Sequence, residues 1–123
     1  MKLVVNLVLG LNRAVLAEGL AFARASAFDP ALALDVLQSG VAYSRVMDVK
    51  GRKMIEESFA PEARLSQHHK DVQLILEAAR RAGIELPLSR VHERLLMGLE
   101  EQGLGELDNS VIIRAFDCQS EVK

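Results

Sequence analysis

The stretch that decides the fold is residues 1–25, MKLVVNLVLGLNRAVLAEGLAFARA. It contains no proline, and Gly10 and Gly19 are its only weak helix formers, so it predicts one long helix. Apolar residues cover most of the circumference, which is typical of a helix that neighbours bury on several sides. We therefore expect the remaining helices to pack around this one.

Two polar residues interrupt the start of this apolar helix. Lys2 and Asn6 are four positions apart, which puts both side chains on one face of the helix, one turn apart. The pair marks the edge of a polar site, or else the spacing is accidental. The second interpretation rests on the fact that a lysine at a chain start usually extends to water. Spacing alone leaves both interpretations open.

The opening residues also resemble the charged start and apolar run of a secretory signal. Asn6 interrupts that run, and polar residues continue at positions 12, 13 and 18 without breaking the helical pattern, so a cleaved signal is not expected. A transmembrane helix needs about 20 mostly apolar residues, and by this criterion no segment supplies them. We expect no association with a membrane.

Composition narrows the class of protein. The chain carries 15 basic and 17 acidic side chains with no long run of one sign, so a concentrated basic face for nucleic acid is not expected. Half of the residues are apolar and only 4% are aromatic, so Leu, Val, Ile and Ala must fill the core. Cys118 is the only cysteine and cannot form an internal disulfide, which favours a reducing, cytoplasmic location.

Start and stop signals divide the rest of the chain into further helices. Asp29–Pro30 is a strong start, with the aspartate as cap and the proline at the first helical position. Asp108 is placed to cap a short last helix. No segment alternates with a period of two, so we predict an all-α fold, a single bundle of five to six helices. The predicted segments are 30–38, 44–58, 66–83, a helix from 87 to the glycine-spaced loop, and 109–116.

Familiar catalytic and metal-binding motifs are absent from the sequence. It has no glycine-rich phosphate loop after a strand, no paired cysteines and no Gly-x-Ser-x-Gly elbow. His68 and His69 are adjacent, so on a helix they point about 100° apart and are poorly placed to bind one ion. No metal site is expected, and His92 is expected at the edge of the core with a solvated or hydrogen-bonded ring. Lys70 and Asp71, taken alone, are typical of a solvated helix face.

The order of several weak motifs is more specific than any one of them. Lys-x-x-x-Asn at 2–6 opens the long helix, and Ala-Glu-Gly-Leu follows at 17–20. Lys-Asp stands at 70–71, Leu-Pro at 86–87, and Gly-x-Gly-x-x-Asp-x-Ser spans 103–110. In this order the chain resembles the C-terminal helical domain of the β-hydroxyacid dehydrogenases. That family includes 3-hydroxyisobutyrate dehydrogenase, 2-hydroxy-3-oxopropionate reductase and, more distantly, 6-phosphogluconate dehydrogenase.

The resemblance implies roles for four residues. Lys2 falls on the family's catalytic lysine, which relays the hydroxyl proton as the alcohol is oxidised. Asn6 falls on an asparagine that hydrogen-bonds the substrate and helps to hold that lysine. Lys70 falls on a lysine that reaches back to the cofactor-substrate cleft near the nicotinamide. Asp71 falls on its neighbour, which supports the helix start electrostatically rather than touching substrate. The resemblance also implies a small β-hydroxy acid as substrate, NAD or NADP as cofactor, and a homodimer or higher homo-oligomer.

Departures from the family pattern bear on this interpretation. Val5 stands where many relatives carry a second asparagine, and His68 and His69 stand where relatives often carry apolar residues. The family places a Rossmann domain with a Gly-x-Gly-x-x-Gly turn before the helical domain, and this sequence shows neither that turn nor strands.

The predicted organisation is therefore a helical substrate-binding and dimerisation domain at 1–116, followed by a polar tail at 117–123. We expect it to belong to an NAD(P)-dependent oxidoreductase and to be inactive alone, since the cofactor-binding domain is missing. The alternative is a non-catalytic helical oligomerisation or interaction module derived from the same family.

Overall fold

The computed structural model describes residues 1–117, and every regular element in that part of the chain is helical. Five α-helices and one 3₁₀ helix confirm the predicted all-α fold. The elements are α1 (Lys2–Ala25), α2 (Pro30–Gln38), α3 (Val46–Glu56), α4 (Leu65–Ala82), α5 (Pro87–Glu101) and the 3₁₀ helix Asn109–Phe116. Cys118 and all but the first residue of the predicted tail lie outside the described residues.

Local sequence signals account for several helix ends. The Asp29 carboxylate accepts a hydrogen bond from the backbone N–H two residues on, at 3.0 Å, so aspartate caps α2 as predicted. The Asp108 carboxylate accepts from the Ser110 N–H at 3.0 Å and caps the 3₁₀ helix in the same way. The third helix is shorter than the predicted 44–58, because Glu57 adopts a left-handed backbone conformation with φ of 54° and ends it.

The core lies where α1 meets the other helices. All six elements contribute side chains that are almost completely buried, and most of these are aliphatic, as the composition predicts. Burying one such side chain contributes about 1.5–3 kcal/mol, so this cluster is the main source of stability. Its largest fully buried apolar side chains are those of Leu20, Leu34, Met54, Leu65, Leu96, Leu99, Val111, Ile112 and Ile113.

The long helix α1 is buried over part of its length only. Its fully buried residues begin at Gly10, whereas Val4 is 58% exposed and Val8 is 51% exposed. Phe22, near its other end, is 73% exposed. The expectation that neighbours bury this helix on several sides was therefore wrong for its first nine residues, because the other helices pack against its middle and one side of its C-terminal half.

The sequence-based statement that no segment is apolar enough to cross a membrane was also wrong. Helix α1 has both the length and the apolar composition of a membrane-spanning helix, and it is the one such helix within residues 1–117. The core helix of a globular protein passes the same test. The absence of a membrane partner stays a prediction.

Candidate functional site

A polar cavity lies between the first half of α1, the start of α4 and the start of the 3₁₀ helix. Its volume is about 190 Å³, several times the roughly 30 Å³ that one water occupies in the liquid. Two positions predicted as site residues, Asn6 and Asp71, line it together. The other polar lining residues are Arg13, Arg64, Gln67, His68 and Asn109.

The two predicted site lysines stand outside this cavity. Lys2 is exposed at the first position of α1, one turn before Asn6, and Lys70 is exposed on α4 beside Asp71. The structure therefore places Asn6 and Asp71 at one cavity. It leaves the side chains of Lys2 and Lys70 exposed to solvent outside that cavity. The roles that the resemblance implies for these four residues stay predictions.

A buried ion pair that the sequence analysis missed supports one wall of the cavity. The Lys50 ammonium, whose side chain is 6% exposed, lies 3.0 Å from both carboxylate oxygens of Asp108, which is 0% exposed. The same carboxylate accepts hydrogen bonds from the N–H groups of Glu62 and Ala63, at 3.0 and 3.1 Å. These bonds hold the 62–63 loop, and with it the cavity-lining Ala63, against α3 and the 3₁₀ helix.

The environment of Asp108 keeps its carboxylate charged. Burial alone would raise the pKa of Asp108, but hydrogen bonds from the Ser110 side chain and backbone, from the Glu62 N–H and from Lys50 lower it well below its usual value. Only the capping role of Asp108 was visible in the sequence, because its partner Lys50 is 58 positions away along the chain.

Among the described cavity residues, Arg13 has the most buried side-chain atoms without a hydrogen-bond partner. Its Nε and Nη1 atoms are buried and have no hydrogen-bond partner among residues 1–117. Burial lowers the pKa of Arg13, and the negative charge of Asp108 opposes that shift. A guanidinium keeps its charge in proteins, so this wall of the cavity carries a positive charge that no described acid pairs with directly.

Two buried histidines lie behind Arg13, between α1, α4 and α5. The rings of His68 and His92 have centroids 5.3 Å apart. Gly10 makes room for them, since a Cβ there would come within 2.7 Å of the His68 Cε1 atom. Burial and the nearby Arg13 charge lower the pKa of His68 to about 3 and that of His92 to about 4, so both are neutral at pH 7.

The expected position of His92 was therefore wrong. Its side chain is buried, and its Nε2 atom has no hydrogen-bond partner in the described part of the chain, as is also true of Nε2 of His68. The sequence placed His92 next to an apolar stripe but gave no sign that α1 and α4 would cover it.

His69 points away from His68, as the helical geometry predicts. Its Nε2 atom lies 2.9 Å from the Glu93 carboxylate and its Nδ1 atom 2.5 Å from the Glu100 carboxylate, both on α5. Burial lowers the pKa of His69, but hydrogen bonds to the two glutamates raise it more, so the net shift is upward. Residues 1–117 contain no group of three His, Cys, Asp or Glu side chains placed to hold a metal ion.

Comparison with known proteins identifies the family. The model described as "NAD-binding of NADP-dependent 3-hydroxyisobutyrate dehydrogenase" matches residues 1–116. This chain belongs to that family. It is 29% identical to the 2-hydroxy-3-oxopropionate reductase of Escherichia coli over 99% of this chain and 42% of that protein. It is 30% identical to glyoxylate/succinic semialdehyde reductase 1 of Arabidopsis thaliana over 98% of this chain and 42% of that protein.

Solved structures show the same fold. The 3-hydroxyisobutyrate dehydrogenase of Salmonella typhimurium superposes with a TM-score of 0.88 at 21% identity, over 92% of this chain and 40% of that one. The Mycobacterium tuberculosis 3-hydroxyisobutyrate dehydrogenase gives 0.83 at 18% identity, over 92% and 41%. The family and the helical fold that the ordered motifs implied are confirmed. The chain spans about two-fifths of the length of these four relatives.

Proposed function

We propose that this chain is the substrate-binding and dimerisation domain of an NAD(P)-dependent oxidoreductase that acts on a small β-hydroxy acid. The observation that carries the proposal is that Asn6 and Asp71, two of the four site residues that the resemblance predicts, line one polar cavity. The family match spans all four positions. The relatives' names include reductases of 2-hydroxy-3-oxopropionate and succinic semialdehyde and a 2-(hydroxymethyl)glutarate dehydrogenase, which supports a small oxygenated acid as substrate.

The proposed chemistry places proton transfer at Lys2. A lysine amine in its neutral form can accept the proton of the substrate hydroxyl. Asn6, one turn further along α1, hydrogen-bonds the same oxygen and keeps it near the amine. Bound NAD(P) would accept the hydride from the carbon, so the alcohol loses a proton and a hydride and becomes a carbonyl.

The cofactor side of the site is proposed at Lys70 and Asp71. Lys70 is exposed beside the cavity and Asp71 lines it, which suits contacts with the nicotinamide end of a dinucleotide. A dinucleotide's phosphates need a glycine-rich turn between a strand and a helix, and no strand occurs in residues 1–117. We therefore propose that a separate Rossmann domain supplies the phosphate site, and that the 123-residue chain alone has no turnover.

Self-association is proposed through the apolar surface where the end of α1 meets α2. A cavity of about 480 Å³ lies there, lined almost entirely by apolar residues. Phe22, Phe28 and Val36 at this surface are 73%, 64% and 62% exposed, which is unusual for large apolar side chains in contact with water. A homodimer that buries this surface, in the cytoplasm, is the proposed state.

A chimera tests the proposed activity. In the chimera, this chain replaces the matched region of the Escherichia coli 2-hydroxy-3-oxopropionate reductase. The assay follows the oxidation of NAD(P)H by 2-hydroxy-3-oxopropionate. Lys2→Met should lower kcat by about 10²–10⁴-fold, the usual contribution of a general acid or base. Lys53→Met, on α3, makes the same change away from the cavity and should leave kcat unchanged. Equal rates for Lys2→Met and the parent chimera would contradict the proposal.

A second candidate is a non-catalytic oligomerisation or interaction module. Two relatives carry the name "Cytokine-like nuclear factor N-PAC" rather than that of a dehydrogenase, with 29% identity in Aedes aegypti and 26% in Mus musculus. The double variant Asn6→Ala/Lys70→Ala separates the candidates. If the chain works as part of an enzyme, the double variant should lose catalytic rate while its stability and oligomeric state stay unchanged. If the chain is an interaction module, its stability, its oligomeric state and its partner binding should all stay unchanged.

A further inference from the structure

Arg13 lies on the same stripe of α1 as the two predicted site residues. It follows Asn6 by seven positions and Lys2 by eleven, so the three side chains fall within about 40° around the helix axis. Side chains on a helix tilt toward its N-terminus, so the Arg13 guanidinium extends in the direction of Asn6. Both residues line the polar cavity, and a ligand that fills it contacts both.

The positive charge of Arg13 has no bonded counter-charge in the described chain. Its Nε and Nη1 donors are buried without partners there. Asp108 is the acid that acts on it electrostatically, but both oxygens of that carboxylate already bind Lys50 and Ser110 or backbone N–H groups. A buried guanidinium without an acceptor is costly, and an anionic ligand would remove that cost.

A further unpaired atom beside the cavity is a hydrogen-bond acceptor and not a donor. Asn109 is 5% exposed and lines the cavity, and its side-chain Oδ1 atom has no partner within residues 1–117. Arg13 and Arg64 line the cavity together with the Asp71 carboxylate, so the lining carries two positive charges and one negative charge. This net positive setting suits an anionic ligand, and the planar fork of the Arg13 guanidinium suits a carboxylate.

The carboxylate at Arg13 cannot belong to the reacting end of the substrate. Arg13 is eleven residues from Lys2, a rise of about 16 Å along the helix, and Asn6 lies between them. Resting on the proposed function, which puts the reacting hydroxyl at Lys2 and Asn6, we propose that Arg13 binds a second carboxylate at the far end of the substrate. The substrate class is then the dicarboxylic β-hydroxy acids and the corresponding semialdehydes.

The test compares two five-carbon acids that differ in one carboxylate. The full 123-residue chain is titrated with glutarate and with pentanoate, and backbone amide shifts are followed by NMR. Glutarate should bind at least about tenfold more tightly than pentanoate, with the largest shifts at the cavity, because one charge-assisted bidentate pair is worth that factor or more. Equal affinities, or no binding of glutarate, would overturn the proposal.

Variants assign the preference to one side chain. Arg13→Met should abolish it, while Arg24→Met, an exposed arginine on the same helix, removes the same charge and should keep it. Arg13→Lys keeps the charge without the planar fork and should lower the preference severalfold. Thermal melts provide an independent measure, because glutarate should raise the Tm of the parent chain and of Arg24→Met but not that of Arg13→Met. A glutarate preference that survives in a folded Arg13→Met chain would refute the assignment.

These outcomes are separate from those of the activity test. Binding by the helical chain needs neither cofactor nor turnover, whereas the chimera reports turnover alone. If the chain binds glutarate through Arg13 while the chimera has no activity, the proposed function fails and the subsite stands. If the chimera is active and the chain shows no preference for glutarate, the proposed function stands and the second carboxylate site is refuted.

Discussion

Removing Lys50 should destabilise the fold by about 3 kcal/mol. At 3.0 Å, and with an effective dielectric constant of about 20, the attraction between the Lys50 and Asp108 charges is about 5.5 kcal/mol before solvation is counted. Desolvation of the lysine offsets part of this, and Asp108 keeps its bonds from Ser110 and the 62–63 loop in Lys50→Met. The net loss should therefore lie at the low end of the 3–5 kcal/mol typical of breaking a buried pair, about 3 kcal/mol.

Urea unfolding followed by circular dichroism measures this loss. Lys53→Met serves as the matched control, since it removes a lysine three residues away whose amine donates to the Ala60 carbonyl and to no carboxylate of residues 1–117, and it should cost under about 1 kcal/mol. The double variant Lys50→Met/Asp108→Asn removes the stranded charge and should recover part of the loss. A loss below about 1 kcal/mol for Lys50→Met would refute the view that this pair is needed to neutralise Asp108.

Three further predictions concern the interior behind the cavity. Gly10→Ala should destabilise by about 1–3 kcal/mol in urea unfolding, because its Cβ would overlap the His68 ring. Gly19→Ala in the same helix meets nothing within 4 Å and should be neutral or stabilising by up to about 1 kcal/mol, and equal effects would refute the steric argument. Stability should fall as pH drops from 7 to 5, because His68 and His92 are protonated at their ordinary pKa when unfolded but only at about 3 and 4 when folded. Each histidine lowers the free energy of unfolding by about 2 kcal/mol at pH 5. Unfolding midpoints measured across that pH range would show this loss, and the double variant His68→Met/His92→Met should remove it. Arg13→Met should raise the stability of the ligand-free chain by about 1–3 kcal/mol in urea unfolding, since it removes a buried charge that no residue of 1–117 pairs, and a loss would contradict that account.

Local signals in the sequence predicted the helical elements well. Aspartate caps and prolines act within one turn of the residues they order, so Asp29 and Asp108 could be assigned as caps without knowledge of the fold. The burial of α1 was not predicted correctly. Apolar residues around a helix show which of its faces could be buried, but they do not show which neighbouring helices reach those faces. Its first nine residues hold apolar side chains that the described helices leave uncovered.

The candidate site was only partly visible in the sequence. Asn6 and Asp71 could be named because ordered motifs matched a family, and both line the cavity. Arg13 and Asn109 carry no local motif, and their unpaired atoms become evident only when three elements meet around them. The setting of His92 was wrong for the same reason, since whether a ring is solvated depends on segments far away in sequence.

The sequence by itself determined the helices, their caps, the absence of a sheet pattern and the family, because these depend on residues a few positions apart or on motif order. The tertiary structure decided which charges are paired. Lys50 meets Asp108 across 58 positions, and His69 meets Glu100 across 31. It also left Arg13 without a bonded acid among residues 1–117. The physical reason is that desolvation and ion pairing depend on distances of a few ångströms between segments, which packing alone sets.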